Sequence, residues 1–419
     1  MNKLQFFLLG GAAVLIALAI LVFSGAFGFG GRGARTELIM WGPWESAVFR
    51  EIDRAFQEQS GLSGQGNAFK LTYVQKPTAT YEQELVEALA AGAGPDLWLL
   101  PEDLRFSRAS LIAPLPTQLL NEREFKEQFI DAASLFVAPS PSAGQAPAIV
   151  ALPLAFDPLV LYWNKDLFNA ASVALPPRDW TELMQNAASI TQRNAAGQIE
   201  IAGAALGRAS NIPLFKSLLE LLMMQENQRQ NVFLQDTAAA NSAVRYYTGF
   251  ALSTKPHFSW HALMPLPRAL FVQNDLGMMI DYASYAPVLS RQNPHLNFAT
   301  ANLPQIDPAR PITNGVLWGV TVSRASSKPI QAWQAALLLA GKNFAAPLSA
   351  AARMAPGRRD LMDSSNPLHT AALQALFIPD PVPARTSAIL AEMIDSVADG
   401  KKTVSEAVNE AKRKMETIP

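Results

Sequence analysis

Carboxylates and aromatic rings sit just after the apolar runs of this chain, where a strand ends and a loop begins. Glu45 follows Trp44 behind the run Glu37–Trp41, and Asp281 and Tyr282 close the run Leu276–Ile280, with Tyr285 three residues on. Asp103 follows Leu97–Leu100, and Asp157 stands between two apolar runs, Ile149–Phe156 and Leu159–Trp163. Carboxylates accept hydroxyl hydrogens and a flat ring packs on the apolar face of a sugar, so this set suits a polyhydroxylated ligand. Trp260, between His257 and His261 in a proline-flanked loop, and the amide Asn211 complete the candidate contacts. Trp318 lies inside a strand-like run, where core packing is the commoner role. The same carboxylates would suit a polyamine or another cation. Paired acids such as Glu45 with Asp157 or Asp281 could flank a glycosidic bond. No Gly-x-Ser-x-Gly elbow, Walker loop or His-Glu-x-x-His accompanies them, so a binding protein is expected rather than an enzyme. His257 and His261 are four apart with no acidic ligand between them; neither a metal nor a cofactor is expected.

The elements that must carry these residues alternate. Glu37–Trp41 reads as a strand, Ser46–Gln59 as a helix with Val48, Ile52, Ala55 and Phe56 on one face, and Phe69–Val74 as a strand. Thr80-x-x-Gln83 predicts a capping box opening a helix that ends at Gly92, and Leu97–Leu100 is the next strand. Strand–helix–strand–helix–strand is the mark of a parallel α/β layer, and ligands of such sheets gather beyond the carboxyl ends of the strands. Further on, Asp179 with Glu182 predicts a helix start, Pro213 opens a strongly apolar helix, and Thr403 with Glu406 caps the last segment.

With 419 residues, the chain is long enough for two domains, and 49% hydrophobic against 16% charged residues gives ample surface to bury. A net charge of −1 without a basic block argues against a nucleic-acid partner. Leu4–Phe23 carries no charge, and a helix of that length spans about 30 Å, the thickness of a bilayer core. It reads as an uncleaved transmembrane anchor, with residues 1–35 forming that segment and a Gly-rich linker. Ser24-Gly25-Ala26 offers a cleavage site for the alternative, a signal peptide with release of the body. Either way the body is expected outside the cytoplasm.

Several motifs resemble one family. Leu152-Pro153, Leu161-Tyr162-Trp163-Asn164-Lys165-Asp166-Leu167-Phe168 and Pro176-Pro177-Arg178-Asp179-Trp180-Thr181-Glu182-Leu183 resemble the crossover of family 1 extracellular solute-binding proteins, the maltose-binding-like receptors of ABC importers. Gly94-Pro95-Asp96-Leu97, Phe271 with Gly277-Met278-Met279-Ile280, Asn314-Gly315 with Trp318-Gly319-Val320, and Ala355-Pro356-Gly357-Arg358 extend the likeness. One departure stands out: after the Met278–Ile280 strand the family often has Gly-x-Trp, and this chain has Asp281-Tyr282-Ala283-Ser284-Tyr285. The resemblance implies an α/β, two-lobed periplasmic-binding-protein-like fold of type II. Lobe 1 would run from Thr36 to Ala155, completed by 302–325, and lobe 2 from Phe156 to Ala301, completed by 326–419. It also implies a monomer that binds a sugar or oligosaccharide between the lobes and presents it to ABC permease subunits. Glu45, Asp103 and Asp157 would then be ligand acceptors, and Arg358 would reach the cleft. Lipid anchoring, common in the family, is closed to a chain without cysteine. A ligand-sensing ectodomain for a membrane partner is the rival role.

Overall fold

The computed structural model describes residues 36–62, 69–139, 147–227 and 234–417. The anchor expected at Leu4–Phe23 lies outside them, and among the described residues no helix is long and apolar enough to cross a membrane.

Strand β1 (Thr36–Gly42) pairs in parallel with β2 (Phe69–Gln75) on one side and β3 (Leu97–Pro101) on the other. Helices α1 (Ser46–Leu62) and α2 (Tyr81–Ala90) connect them. α1 buries Val48, Phe49, Ile52 and Phe56, a face at helical spacing. The capping box expected at Thr80 does not form: its hydroxyl donates to Glu84, and no side-chain cap bond is made. Gly92, at φ 71°, supplies the left-handed residue that stops α2.

The apolar runs on either side of Asp157 form one strand, β4 (Leu152–Asn164), rather than two. The later strands of more than two residues are β5 (Ile199–Ala204), β6 (Leu276–Tyr282), β7 (Phe298–Ala301) and β8 (Gly315–Ser323). The first half of β4 pairs antiparallel with β8, which also pairs with β3; its second half pairs antiparallel with β6 and β7. The sheet therefore runs β2-β1-β3-β8-β4-β6-β5 through the whole molecule. Pro158 lies at the passage between the two halves, opposite Gly315. A Cβ on Gly315 would sit 2.3 Å from the Asp157 carbonyl oxygen, so only glycine lets the two backbones approach there.

Two separate apolar cores flank this passage. One gathers β1, β3, α1 and the start of β4; the other gathers the end of β4, β6 and the helices around them. Residues 326–419 were expected in the second lobe as a block. Instead Ala332, Trp333, Phe344 and Leu348 pack in the first core, and Leu390, Met393 and Val408 pack in the second. The reason is local: β8 ends within the first lobe, and a short connection lays the next helix back on the sheet just left.

Candidate functional site

A cleft of about 730 Å³ lies between the lobes. On one side it is walled by Glu82 of α2 and by the loop Glu102–Arg108 that leaves β3. On the other side stand the first turns of α3 (Phe215–Asn227), Tyr282 at the end of β6, and the proline-rich loop 379–383. The wall is thus built from strand ends and helix starts, where a parallel sheet leaves a crevice.

Glu102 and Asp103 stand side by side on the first wall. Glu102 accepts the Leu317 N–H through Oε2 at 2.7 Å. Burial and the neighbouring Asp103 charge push its carboxyl well above the ordinary range. Asp103 is raised as well, first by desolvation, with Lys216 across the cleft working in the opposite sense. Lys216 anchors the second wall, with Nζ 3.0 Å from Glu220 Oε1 and 3.1 Å from Asp380 Oδ2. Burial works against its ammonium, and the two carboxylates outweigh it and raise its pKa. Burial lifts Glu220 to about 6 although Lys216 pulls it down. Asp380 also accepts from the Val382 N–H and the Thr386 hydroxyl, both at 3.0 Å. Of the other lining cations, Arg108 bonds Glu82, Arg105 donates to the Leu135 carbonyl and stacks on Phe106, and Arg385 is exposed.

Of the residues singled out from sequence, Asp103 and Tyr282 line this cavity. Glu45 is exposed and bonds Arg291 of α4 (Ala286–Gln292) at 2.7 Å. Trp44 packs beside Phe49 and edge-on to Trp318, its buried indole N–H unpartnered among the described residues. Asp157 is buried in the passage between lobes, accepting from the Ser284 N–H at 3.1 Å and the Ser284 hydroxyl at 2.5 Å. Desolvation outweighs those bonds and lifts its carboxyl to about 7. Asp281 holds Arg268 through both oxygens, at 2.6 and 2.7 Å, and Arg268 lies over the Tyr285 ring. Trp260 is wholly buried in the second core and donates to Asn211, which itself donates to the His261 and Met264 carbonyls. Arg358 is buried in the first lobe, bonded to Asp360, Gln128 and the Ala340 carbonyl. None of these eight lines the cavity. Among the described residues no cluster of His, Asp and Glu is arranged to hold a metal.

Sequence reading missed Glu82, Glu102, Lys216, Glu220 and Asp380. A signal existed for two of them. Lys216 and Glu220 stand four residues apart in the largely apolar stretch Phe215–Met224, and charges on such a face must be paired or used. Nothing in the loop around Asp380 marks it, since its role depends on a helix far away in sequence.

The model of the bacterial extracellular solute-binding protein family matches residues 64–342. Binding proteins from Brucella abortus and Brucella suis are 25% identical over 345 residues, covering 80% of this chain and 78% of theirs. Among solved structures, the cyclic α-maltosyl-1,6-maltose binding protein of Arthrobacter globiformis superposes with a TM-score of 0.71 at 17% identity, over 91% of this chain and 98% of that one. An ABC substrate-binding protein of Listeria monocytogenes, solved with cycloalternan, gives 0.70 at 16% identity, over 91% and 99%. These likenesses establish the two-lobed α/β fold. With the family model matching well over half its length, the chain belongs to the bacterial extracellular solute-binding proteins, a class of binding proteins, not enzymes, that work outside the cytoplasm.

Proposed function

We propose that this protein is the receptor subunit of an ABC-type importer, taking a sugar or oligosaccharide into the inter-lobe cleft and presenting it to membrane permease subunits. The observation that carries the reading is the cleft itself: about 730 Å³ between two lobes, with hydrogen-bonding side chains on both walls and the Tyr282 ring on one. That volume suits a small oligosaccharide, and pockets of roughly 300–1,000 Å³ are usual for ligands that become largely buried. Carboxylates and an ammonium on the walls match the dense hydroxyls of a sugar, and Tyr282 offers a flat apolar face. The passage of β4 and β8 between lobes supplies a narrow waist about which the lobes can close over the ligand. Solved relatives in complex with cycloalternan and maltotetraose support the same ligand class. Trp44, Glu45, Asp157, Asn211, Trp260, Asp281, Tyr285 and Arg358 lie outside the cavity lining and on this reading support the lobes and the passage between them. We place the body outside the cytoplasmic membrane as a monomer, tethered by Leu4–Phe23.

The experiment is a thermal-shift screen over mono- and oligosaccharides, followed by calorimetry on Tyr282→Ala. A true ligand at 100 times its dissociation constant adds about 2.7 kcal/mol of stability. Removing the ring should weaken binding roughly 5- to 150-fold, the cost of about 1–3 kcal/mol of apolar contact. A screen without a saccharide hit, or a Tyr282→Ala protein of unaltered affinity, counts against the proposal.

A further inference from the structure

Charge in the cleft is not matched. Arg108 serves Glu82, Arg105 serves backbone carbonyls, and Arg385 is exposed at the rim. Glu102 and Asp103 on one wall make no ion pair among the described residues, while Glu220 and Asp380 on the other share the single ammonium of Lys216. Glu220 is 6% exposed and lines the cleft; its buried Oε1 and Asp380 Oδ2 lie 3.0 and 3.1 Å from Lys216 Nζ, yet neither oxygen has a hydrogen-bond partner of good geometry among the described residues.

We infer that the cleft takes a ligand bearing a protonated amine, seated between Asp103 of one lobe and Glu220 of the other. The inference rests on the saccharide reading, and an amino sugar is the source of the amine that joins the two. Carboxylates on facing lobes repel as the lobes approach, and a neutral ligand leaves that repulsion in place. An ammonium between them turns the same charges into charge-assisted hydrogen bonds from both sides, so closure is coupled to the correct cargo. Protonation follows the same logic. Burial raises the carboxyls of Glu102, Asp103 and Glu220 in the empty cleft. Lys216 is the neighbouring cation that opposes this, and Glu82 and Asp380 are the acids that add to it. A bound ammonium favours their ionised forms and expels protons. A neutral ligand, which only dries the site further, does not.

The test is calorimetry on the full chain at about pH 6, where Glu220 is about half protonated and a sugar amine is already largely ionised, in two buffers of different ionisation enthalpy. The probes are glucosamine oligosaccharides, their N-acetylated counterparts and spermidine. Amine-bearing sugars should bind at least ~10-fold tighter than the acetylated ones, release protons, and weaken with salt. Asp103→Asn, which keeps the side chain's size and removes its charge, should shrink the gap between the two sugar series and reduce proton release. Equal affinity of the two series, or no proton release with the amine, overturns the inference and leaves the saccharide reading standing. Binding of spermidine with no saccharide binding keeps the ammonium site and overturns the saccharide reading. Binding of no probe overturns the ammonium site and leaves the saccharide reading to the wider saccharide screen.

Discussion

Arg291 donates to Glu45 at 2.7 Å, joining residues 246 positions apart and on opposite lobes. Glu45 opens α1 of the first lobe, and Arg291 closes α4 of the second. Both side chains are more than half exposed, so the pair adds little to stability, under about 1 kcal/mol for such contacts. Its effect falls on the angle between lobes. Arg291→Glu should leave the melting temperature nearly unchanged and enlarge the unliganded molecule at low salt, as read by small-angle scattering. Raising salt should move the parent protein in the same direction, because exposed pairs are screened. Identical scattering profiles for parent and variant would show that the pair does not set the lobe angle.

Asp157 gives the waist a pH dependence. Its folded carboxyl titrates near 7 because it is buried, whereas an unfolded aspartate titrates near 3.9. Between those values the folded state holds the extra proton, so stability is fullest below about pH 4 and declines as pH rises toward 7. Glu220, near 6, and the raised Glu102 and Asp103 slope the same way. Asp157→Asn keeps an acceptor for Ser284 and removes the buried charge. The variant should melt no lower than the parent at pH 8, with a shallower fall between pH 4 and 7. A lower melting temperature at pH 8 would assign the ionised carboxylate a stabilising role instead.

Lys216 offers a sharper stability test. Lys216→Met leaves Glu220 and Asp380 without their shared cation in a poorly solvated wall, and breaking such a pair costs about 3–5 kcal/mol. Adding Glu220→Leu should restore part of the loss, since one stranded carboxylate is then gone while Asp380 keeps Val382 and Thr386. Denaturant melts of the single and double variants decide it. A double variant weaker than the single would mean that Glu220 does more than balance Lys216.

Asn211 and Trp260 form a buried unit that positions the loop around His261. Asn211→Ala strands the indole N–H and frees two carbonyls, a loss of roughly 1–3 kcal/mol. Stability should fall while affinity per folded molecule for a confirmed ligand changes less than it does in Tyr282→Ala. Calorimetry on both variants at a temperature where each is folded compares them directly. A larger affinity loss in Asn211→Ala would put this unit in contact with the ligand.

Much of the architecture was legible from the order of residues. Apolar runs marked β1 and β3, alternation marked β2, a helical face marked α1 and Gly92 marked the end of α2, since each of these signals needs only local spacing. Asp179 and Thr403 cap helices as their spacing with Glu182 and Glu406 indicates. The crossover motif around Asn164-Lys165-Asp166 pointed to the family. The strand ends were also found, and with them Asp103 and Tyr282 on the cleft wall. What sequence could not decide was which charged residue meets which. Asp157 and Ser284 are 127 positions apart, and Leu317 reaches Glu102 across 215. Whether an acid at a strand end faces ligand, cation or hydroxyl depends on the element packed opposite it, and only the assembled sheet and the approach of the two lobes supply that neighbour. The fusion of two apolar runs into β4 has the same cause. Asp157 and Pro158 read as a break in isolation, and they become the continuous middle of a strand because β8, β6 and Ser284 bond to it from both lobes.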